Sequence, residues 1–209
     1  MILQDLICED MTRRGFLGAL GAAAATGAQA ATGIKVPKEF NMLGNNSHNE
    51  ITLQKTAYGQ GLKGPELAQF LGQMKHESWN FERMKERAQG PGYFERRYGV
   101  KHAPKTAQIL GNKLPGDGEK YHGRGYIQLT GRDNYKMAGQ ALGLDLLNHP
   151  ELAAKPEIAA KIAVWYWTTR VRPNVRNFAD TAAVTRAINP AMRGLQDRNE
   201  NFKDYLRLI

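Results

Sequence analysis

A chain of 209 residues with 42% hydrophobic and 23% charged side chains has the size and composition of one globular domain that can build its own core. Its one cysteine, Cys8, leaves no disulfide framework and no thiolate metal site. A formal net charge of +9 suits nucleic acid, an anionic membrane or an anionic cell wall, and does not choose among them.

Residues 1–30 read as a leader. Arg13 and Arg14 precede Phe16 and Leu17, an Ala/Gly run follows, and Ala28-Gln29-Ala30 closes it, which is the layout of an n-region, an h-region and a cleavage site. The paired arginines followed by x-Phe-Leu look like the twin-arginine export address. The apolar run is too short and too rich in Ala and Gly for a stable membrane span. The expectation is transient engagement of the export machinery and a place in the periplasm or outside the cell. The alternatives are a flexible Ala-rich arm, with the protein in the host cytoplasm if the leader is unused, and Met11 as the true start. Without residues 1–30 the balance is 27 basic against 17 acidic residues, a net +10. One domain is expected over 31–209.

Residues 32–46 form an approach segment. Ser47-His48-Asn49-Glu50 fits a capping box and predicts a helix through Leu53 and Ala57 that stops near Gly59 and Gly61. Gly64-Pro65 opens the next helix, with Pro65 in its first turn. There Leu67, Phe70, Leu71 and Met74 fall at i, i+3, i+4 and i+7 and line one face. Glu77 lies about 20° from Phe70 around the same helix, at the edge of the apolar stripe. A carboxylate there is partly desolvated, the setting a general acid needs. His76 points the other way and reads as structural or solvated.

From Ser78 to Asn112 the chain mixes aromatics (Trp79, Phe81, Tyr93, Phe94, Tyr98) with cations (Arg83, Lys85, Arg87, Arg96, Arg97). Such a mixture can face a nucleic acid or a sugar, but packing is its commonest use. Gln89-Gly90-Pro91-Gly92 and Gly116-Asp117-Gly118 mark turns, the latter far short of a calcium loop. Gly123-Arg124-Gly125 lacks the spacing of a phosphate loop. After it, Ile127 and Leu129 alternate with Tyr126, Gln128 and Thr130, which predicts a short half-buried strand. Its outer face would present a phenol, an amide and a hydroxyl, suited to water and sugar hydroxyls.

The remainder reads as helical. Helices are expected over Asn134–Leu142 and Pro156–Thr169, the latter with Trp165 and Trp167 packed inside. Asp180 caps another through Val184 and Ile188, ended by Asn189-Pro190. A last helix near Gln196–Leu208 closes the domain.

Several of these segments together carry a family likeness. They are His76-Glu77-Ser78 with Glu86 downstream, Gly116-Asp117-Gly118, and the run from Tyr121 through Gly123-Arg124-Gly125-Tyr126-Ile127-Gln128-Leu129-Thr130-Gly131-Arg132-Asp133-Asn134 to Tyr135. Leu144-Asp145-Leu146-Leu147, Pro150-Glu151-Leu152, Val184–Asn189 and Asp197-Arg198 complete the set. Over roughly residues 45–205 the chain resembles glycoside hydrolase family 19 chitinases, and among them the lysozyme-like phage endolysins that cut peptidoglycan. The resemblance implies a mainly α-helical, two-lobed lysozyme-like fold with a small β element and a central cleft. It implies that Glu77 is the general acid and Glu86 the general base of an inverting glycosidase. Thr130 would help hold the water, and Gln128 and Asn134 would bind the N-acetyl and hydroxyl groups of the sugar. Tyr121 would join the substrate-binding set, and Asn189 and Arg198 would support the far side of the cleft or the acid–base pair. No metal or organic cofactor is implied, and a monomer is expected.

An inverting pair needs carboxyls about 6.5–9.5 Å apart, one protonated and one ionised. The cations around Glu86 favour its ionised form, although Glu82 shares that charged run and is the substitute. The missing disulfides and shorter loops set the chain apart from plant chitinases of the family. With the basic charge they point to peptidoglycan over chitin. A lytic transglycosylase, a wall-binding module without chemistry and a nucleic-acid-binding protein are the competing readings. The last explains none of the motif residues.

Overall fold

Ser47 caps the first described helix as the sequence predicts: its hydroxyl accepts the Glu50 N–H at 3.2 Å, and helix α1 runs His48–Gly59. The computed structural model describes residues 47–209. The leader, Cys8 and the approach segment lie outside the described residues. Only half of the capping box forms. Glu50 turns its buried carboxylate to the Tyr205 hydroxyl at 2.6 Å and to Gln54 Nε2 at 3.3 Å. Burial pushes the Glu50 carboxyl up, against the lowering effects of Tyr205, Lys75 and Gln54.

Helix α2, Gly64–Glu77, has Pro65 in its first turn and buries Leu67, Phe70, Leu71 and Met74. Short helices α3 (Tyr93–Tyr98), α4 (Pro104–Leu110) and α5 (Asp117–Lys120) follow, then α6 (Arg132–Leu142). Helix α7, Pro156–Tyr166, is continued by a π-turn over Trp167–Val171, so the helical path expected to reach Thr169 widens before it ends. Asp180 accepts the Ala183 N–H at 3.0 Å and caps α8, Thr181–Ile188. Helix α9 spans Leu195–Leu206.

The main core is built by α1 against α7 and α2 against α9. Gly72 permits the second contact, because a Cβ there would lie 2.9 Å from the Phe202 backbone nitrogen. Trp167 is fully buried, edge-on to Phe70 at 5.3 Å, and its indole N–H donates to Glu66 at 3.0 Å. A smaller apolar cluster of Phe94, Tyr98 and Leu110, with Tyr93 against it, joins α3 to α4. Phe94 stacks on His122 at 4.2 Å. Burial pushes His122 down to about 4, helped by Arg124 and Lys85, so the imidazole is neutral near pH 7.

The Gly116-Asp117-Gly118 turn does more than reverse the chain. Asp117 accepts the Lys113 and Leu114 N–H groups at 2.7 and 2.9 Å and two bonds from Arg132 at 2.8 and 2.5 Å, pinning α5 to the start of α6. Burial raises the Asp117 carboxyl, but hydrogen bonds from Arg132, Leu114 and Lys113 outweigh it and hold the group below its ordinary value. The resulting stabilisation is therefore complete above about pH 4 and is lost as pH falls through the lowered value. Asp117→Asn is expected to melt earlier than wild type at neutral pH, with the difference closing in acid. Parallel thermal melts across the acid range check this, and a gap that stays constant down to about pH 2 would contradict it.

The expected small β element does not form as a strand. Among the described residues there are two isolated antiparallel bridges, Lys85 with Arg124 and Arg124 with Leu129. Residues 125–128 make a tight turn closed by Gln128 N–H on the Gly125 carbonyl at 3.1 Å, with Gln128 itself at φ +50°. Arg124 and Leu129 exchange backbone bonds at 3.2 and 2.8 Å across it. The turn is wedged under the chain leading into α7: a Cβ on Gly125 would come within 2.8 Å of the Ala153 carbonyl. Protein covers it on both sides, so Tyr126, Gln128 and Thr130 are as buried as Ile127 and Leu129.

Candidate active site

Glu77 is the last residue of α2 and only 3% exposed. The apolar stripe carries it inward, and α9 supplies the charge that makes this tolerable. Arg198, 1% exposed, donates Nη2 to Glu77 Oε1, Nη1 to Gln73 Oε1 at 2.5 Å and Nε to the Arg193 carbonyl at 2.9 Å. Every guanidinium nitrogen is thus engaged, and its position is fixed relative to the carboxylate. Gln73 is held in turn, with Nε2 on Thr185 Oγ1 at 3.1 Å and on Gln69 Oε1 at 3.4 Å. Gln69 Nε2 reaches Thr181 Oγ1 at 2.8 Å. A buried polar line therefore runs from α8 along α2 to Glu77.

Glu77 and Arg198 open onto a cavity of about 340 Å³, lined also by Trp79, Asn80, Asn189 and Arg193. Asn189, buried after α8, has an Oδ1 without a hydrogen-bond partner among the described residues. His76 has the structural role expected: Nδ1 lies 2.5 Å from Asp197 Oδ2, and the ring packs over Gly194. Past Glu77 the chain turns through three consecutive left-handed residues without a glycine, Trp79, Asn80 and Phe81, at φ +52°, +57° and +64°. Each costs about 1–2 kcal/mol. The turn is held by Ser78 Oγ, which accepts the Phe81 N–H at 3.1 Å, by Asn49 Nδ2 on the Phe81 carbonyl at 2.7 Å, and by the buried Phe81 ring.

Glu86 sits in the loop after this turn and is half-buried. Its Oε1 accepts the Tyr98 hydroxyl at 2.9 Å, and its Oε2 the Gly123 N–H at 3.2 Å. Burial, and next the neighbouring Glu86 charge, push the Tyr98 phenol far up, so it stays a donor at any working pH. Glu82, the substitute, is exposed.

The other expected binding residues divide. Asn189 and Arg198 share the cavity with Glu77. Asn134 is half-buried, its Nδ2 on the Thr130 carbonyl at 2.7 Å. Thr130 is buried and donates to the Gln128 carbonyl at 2.8 Å. Gln128 is 0% exposed, with its amide N–H groups spent on the Gly125 and Arg83 carbonyls at 2.8 and 3.2 Å. Its Oε1 has no partner among the described residues. Tyr121 belongs to the core: its ring packs on Tyr135 at 5.4 Å and its hydroxyl donates to the Leu147 carbonyl at 3.1 Å. The polar row read as a sugar-facing surface therefore serves backbone carbonyls, of Asn49 for Tyr126, of Gly125 and Arg83 for Gln128 and of Gln128 for Thr130, because protein covers both of its faces.

A model of glycoside hydrolase family 19, described as chitinase class I, matches residues 45–192. The chain belongs to glycoside hydrolase family 19. Endochitinase EP3 of Arabidopsis thaliana is 43% identical over 97 residues, covering 43% of this chain and 35% of that protein. A glycosyl hydrolase family 19 domain-containing protein of Haemophilus influenzae is 32% identical over 157 residues, covering 65% of this chain and 76% of that protein. Chitinase C from Streptomyces griseus superposes with a TM-score of 0.59 at 26% identity, covering 81% of this chain and 90% of that one. The chain thus spans about a third of the Arabidopsis protein. The family match stops before α9, so Arg198 is placed in this family 19 site by the geometry.

Gln73, Gln69 and Arg193 were not singled out in the sequence. A signal existed for the glutamines: Gln69, Gln73 and Glu77 fall at i, i+4 and i+8, a polar stripe beside the apolar one. For Arg193 there was none.

Proposed function

We propose that this family 19 domain hydrolyses β-1,4 bonds between N-acetylated sugars by an inverting two-carboxylate mechanism. The observation that carries the reading is the different anchoring of two carboxylates. Glu77 is buried at a cavity wall and fixed by Arg198, and Glu86 is half-buried between a phenol and a peptide N–H. In this reading the protonated form of Glu77, still held by Arg198, gives its proton to the glycosidic oxygen as the C–O bond breaks, and the carboxylate left behind is the one ion-paired with Arg198. A water attacks the anomeric carbon from the opposite face and passes its proton to Glu86. The resemblance would have Thr130 help hold that water; its hydroxyl donates to the Gln128 carbonyl and keeps its own lone pairs as acceptors. The free Oδ1 of Asn189 suits the N–H of an N-acetyl group.

Chitin-type glycan is the first substrate to test, because the named relatives are chitinases. Peptidoglycan is the second, favoured by the +9 charge and the endolysin-like compactness read from the sequence. Full-length protein and Glu77→Gln should be compared on chitin oligomers and on purified peptidoglycan, with products read by mass spectrometry. Reducing hydrolysis products are expected from wild type, and a rate lower by about 10²–10⁴ from the variant. Anhydro sugars would make the enzyme a transglycosylase. No cleavage of either polymer by folded protein would leave a binding module.

A further inference from the structure

Hydrolysis needs Glu77 and a water, yet the cavity at Glu77 is furnished for more than that. Trp79 is 59% exposed, the one aromatic among the large apolar side chains that the described residues leave in solvent. It lines this cavity and stands on the strained left-handed turn, the kind of backbone cost that clusters at ligand sites. The Arg83 guanidinium lies 4.0 Å from the ring centroid and covers one face of the indole.

The charges of the lining do not cancel. Arg198 is paired with Glu77, and Asp197 with His76. Lys75 lies over the Tyr205 ring at 5.8 Å and is drawn to Glu50. Arg193 has an exposed side chain that makes no hydrogen bond or ion pair among the described residues. Three cations, Lys75, Arg193 and Arg198, face two carboxylates, Glu77 and Asp197, so the lining is positive even with His76 neutral.

We propose that this cavity is a subsite for a carboxylate-bearing sugar residue of the glycan, with the pyranose ring on Trp79 and the carboxylate on Arg193. The proposal rests on the glycosidase reading and names the substrate class of the same site. The apolar face of a pyranose fits the free face of an indole, and the guanidinium fork fits a carboxylate. A neutral sugar would stack on Trp79 equally well and leave Arg193 unmatched. Selectivity is then the difference between two ligands that share a ring and differ in one acid group.

The test is a tryptophan-fluorescence titration of the Glu86→Gln protein, in which a neutral amide replaces the half-buried carboxylate. One ligand is an N-acetylglucosamine tetramer; the other is a tetramer alternating N-acetylglucosamine with N-acetylmuramic acid. Both are expected to change the emission, the acidic one binding about tenfold more tightly at low salt. That advantage should shrink as salt rises. Trp79→Phe should remove most of the signal, and Arg193→Gln should bring the acidic ligand to the affinity of the neutral one. Equal affinity for the two ligands, or binding read by calorimetry that is unaffected by Trp79→Ala, overturns the proposal. Binding is read here without turnover, so selective binding together with a wild-type protein that cleaves neither polymer would sink the hydrolase reading and keep the subsite.

Discussion

Arg198→Ala is expected to destabilise the protein by about 3–5 kcal/mol, the cost of breaking a buried ion pair from one side, and to abolish turnover. Three acceptors converge on this guanidinium: the buried Glu77 Oε1 and Gln73 Oε1 and the part-buried Arg193 carbonyl. Alanine leaves all three unpaired and strands the Glu77 charge in a site with 3% exposure. Water can enter through the cavity and soften the loss, which places the expected value nearer the lower end. Lysine keeps the charge but cannot reach three acceptors with a planar fork, so Arg198→Lys should recover only part of the stability. Gln73→Met removes one neutral partner at similar volume and should cost about 1–2 kcal/mol. Denaturant unfolding of the three variants reads the ranking. An Arg198→Ala protein as stable as wild type would mean that Glu77 does not depend on this arginine for its place in the fold.

What could be read in advance follows from which interactions are local. The start of α1 at Ser47, the opening of α2 at Pro65, the cap at Asp180 and the end of α8 before Asn189-Pro190 rest on contacts within a few residues. The stripe Leu67, Phe70, Leu71 and Met74 was legible for the same reason, and it placed Glu77 at a buried edge. The partner of Glu77 lies 121 residues away, and helical spacing says nothing about which cation will meet it. The resemblance alone brought Arg198 forward. The segment 126–130 failed differently. Alternation of apolar and polar residues describes a half-buried strand, but it also fits a turn covered on both sides, where each polar group bonds nearby backbone. The left-handed turn at Trp79, Asn80 and Phe81 carries no glycine, so nothing announced that Trp79 would be held out in solvent.

The choice between Glu86 and Glu82 is open in the sequence, and the fold gives the two different surroundings, Glu86 half-buried and Glu82 exposed. Glu86→Gln is expected to lower kcat by about 10²–10⁴, the range for loss of a general base, with little change in melting temperature. Glutamine can still accept the Gly123 N–H on its one carbonyl oxygen while its amide donates to the Tyr98 oxygen, and it keeps the backbone bond of residue 86 to the Gly123 carbonyl at 2.9 Å. What it loses is the capacity to take a proton. Glu82→Gln should leave the rate within about twofold, because an exposed side chain away from fixed donors is not held for chemistry. Tyr98→Phe removes one hydrogen bond that orients the Glu86 carboxylate but not the base itself, so its rate should fall between the two glutamate variants. Rates for all three on one oligosaccharide give the order. If Glu82→Gln is the slow variant, the base is misassigned and the Tyr98–Glu86 contact is a packing feature of the smaller cluster. If Glu86→Gln is slow but melts far below wild type, its effect is structural, and Tyr98→Phe should then lose stability rather than rate.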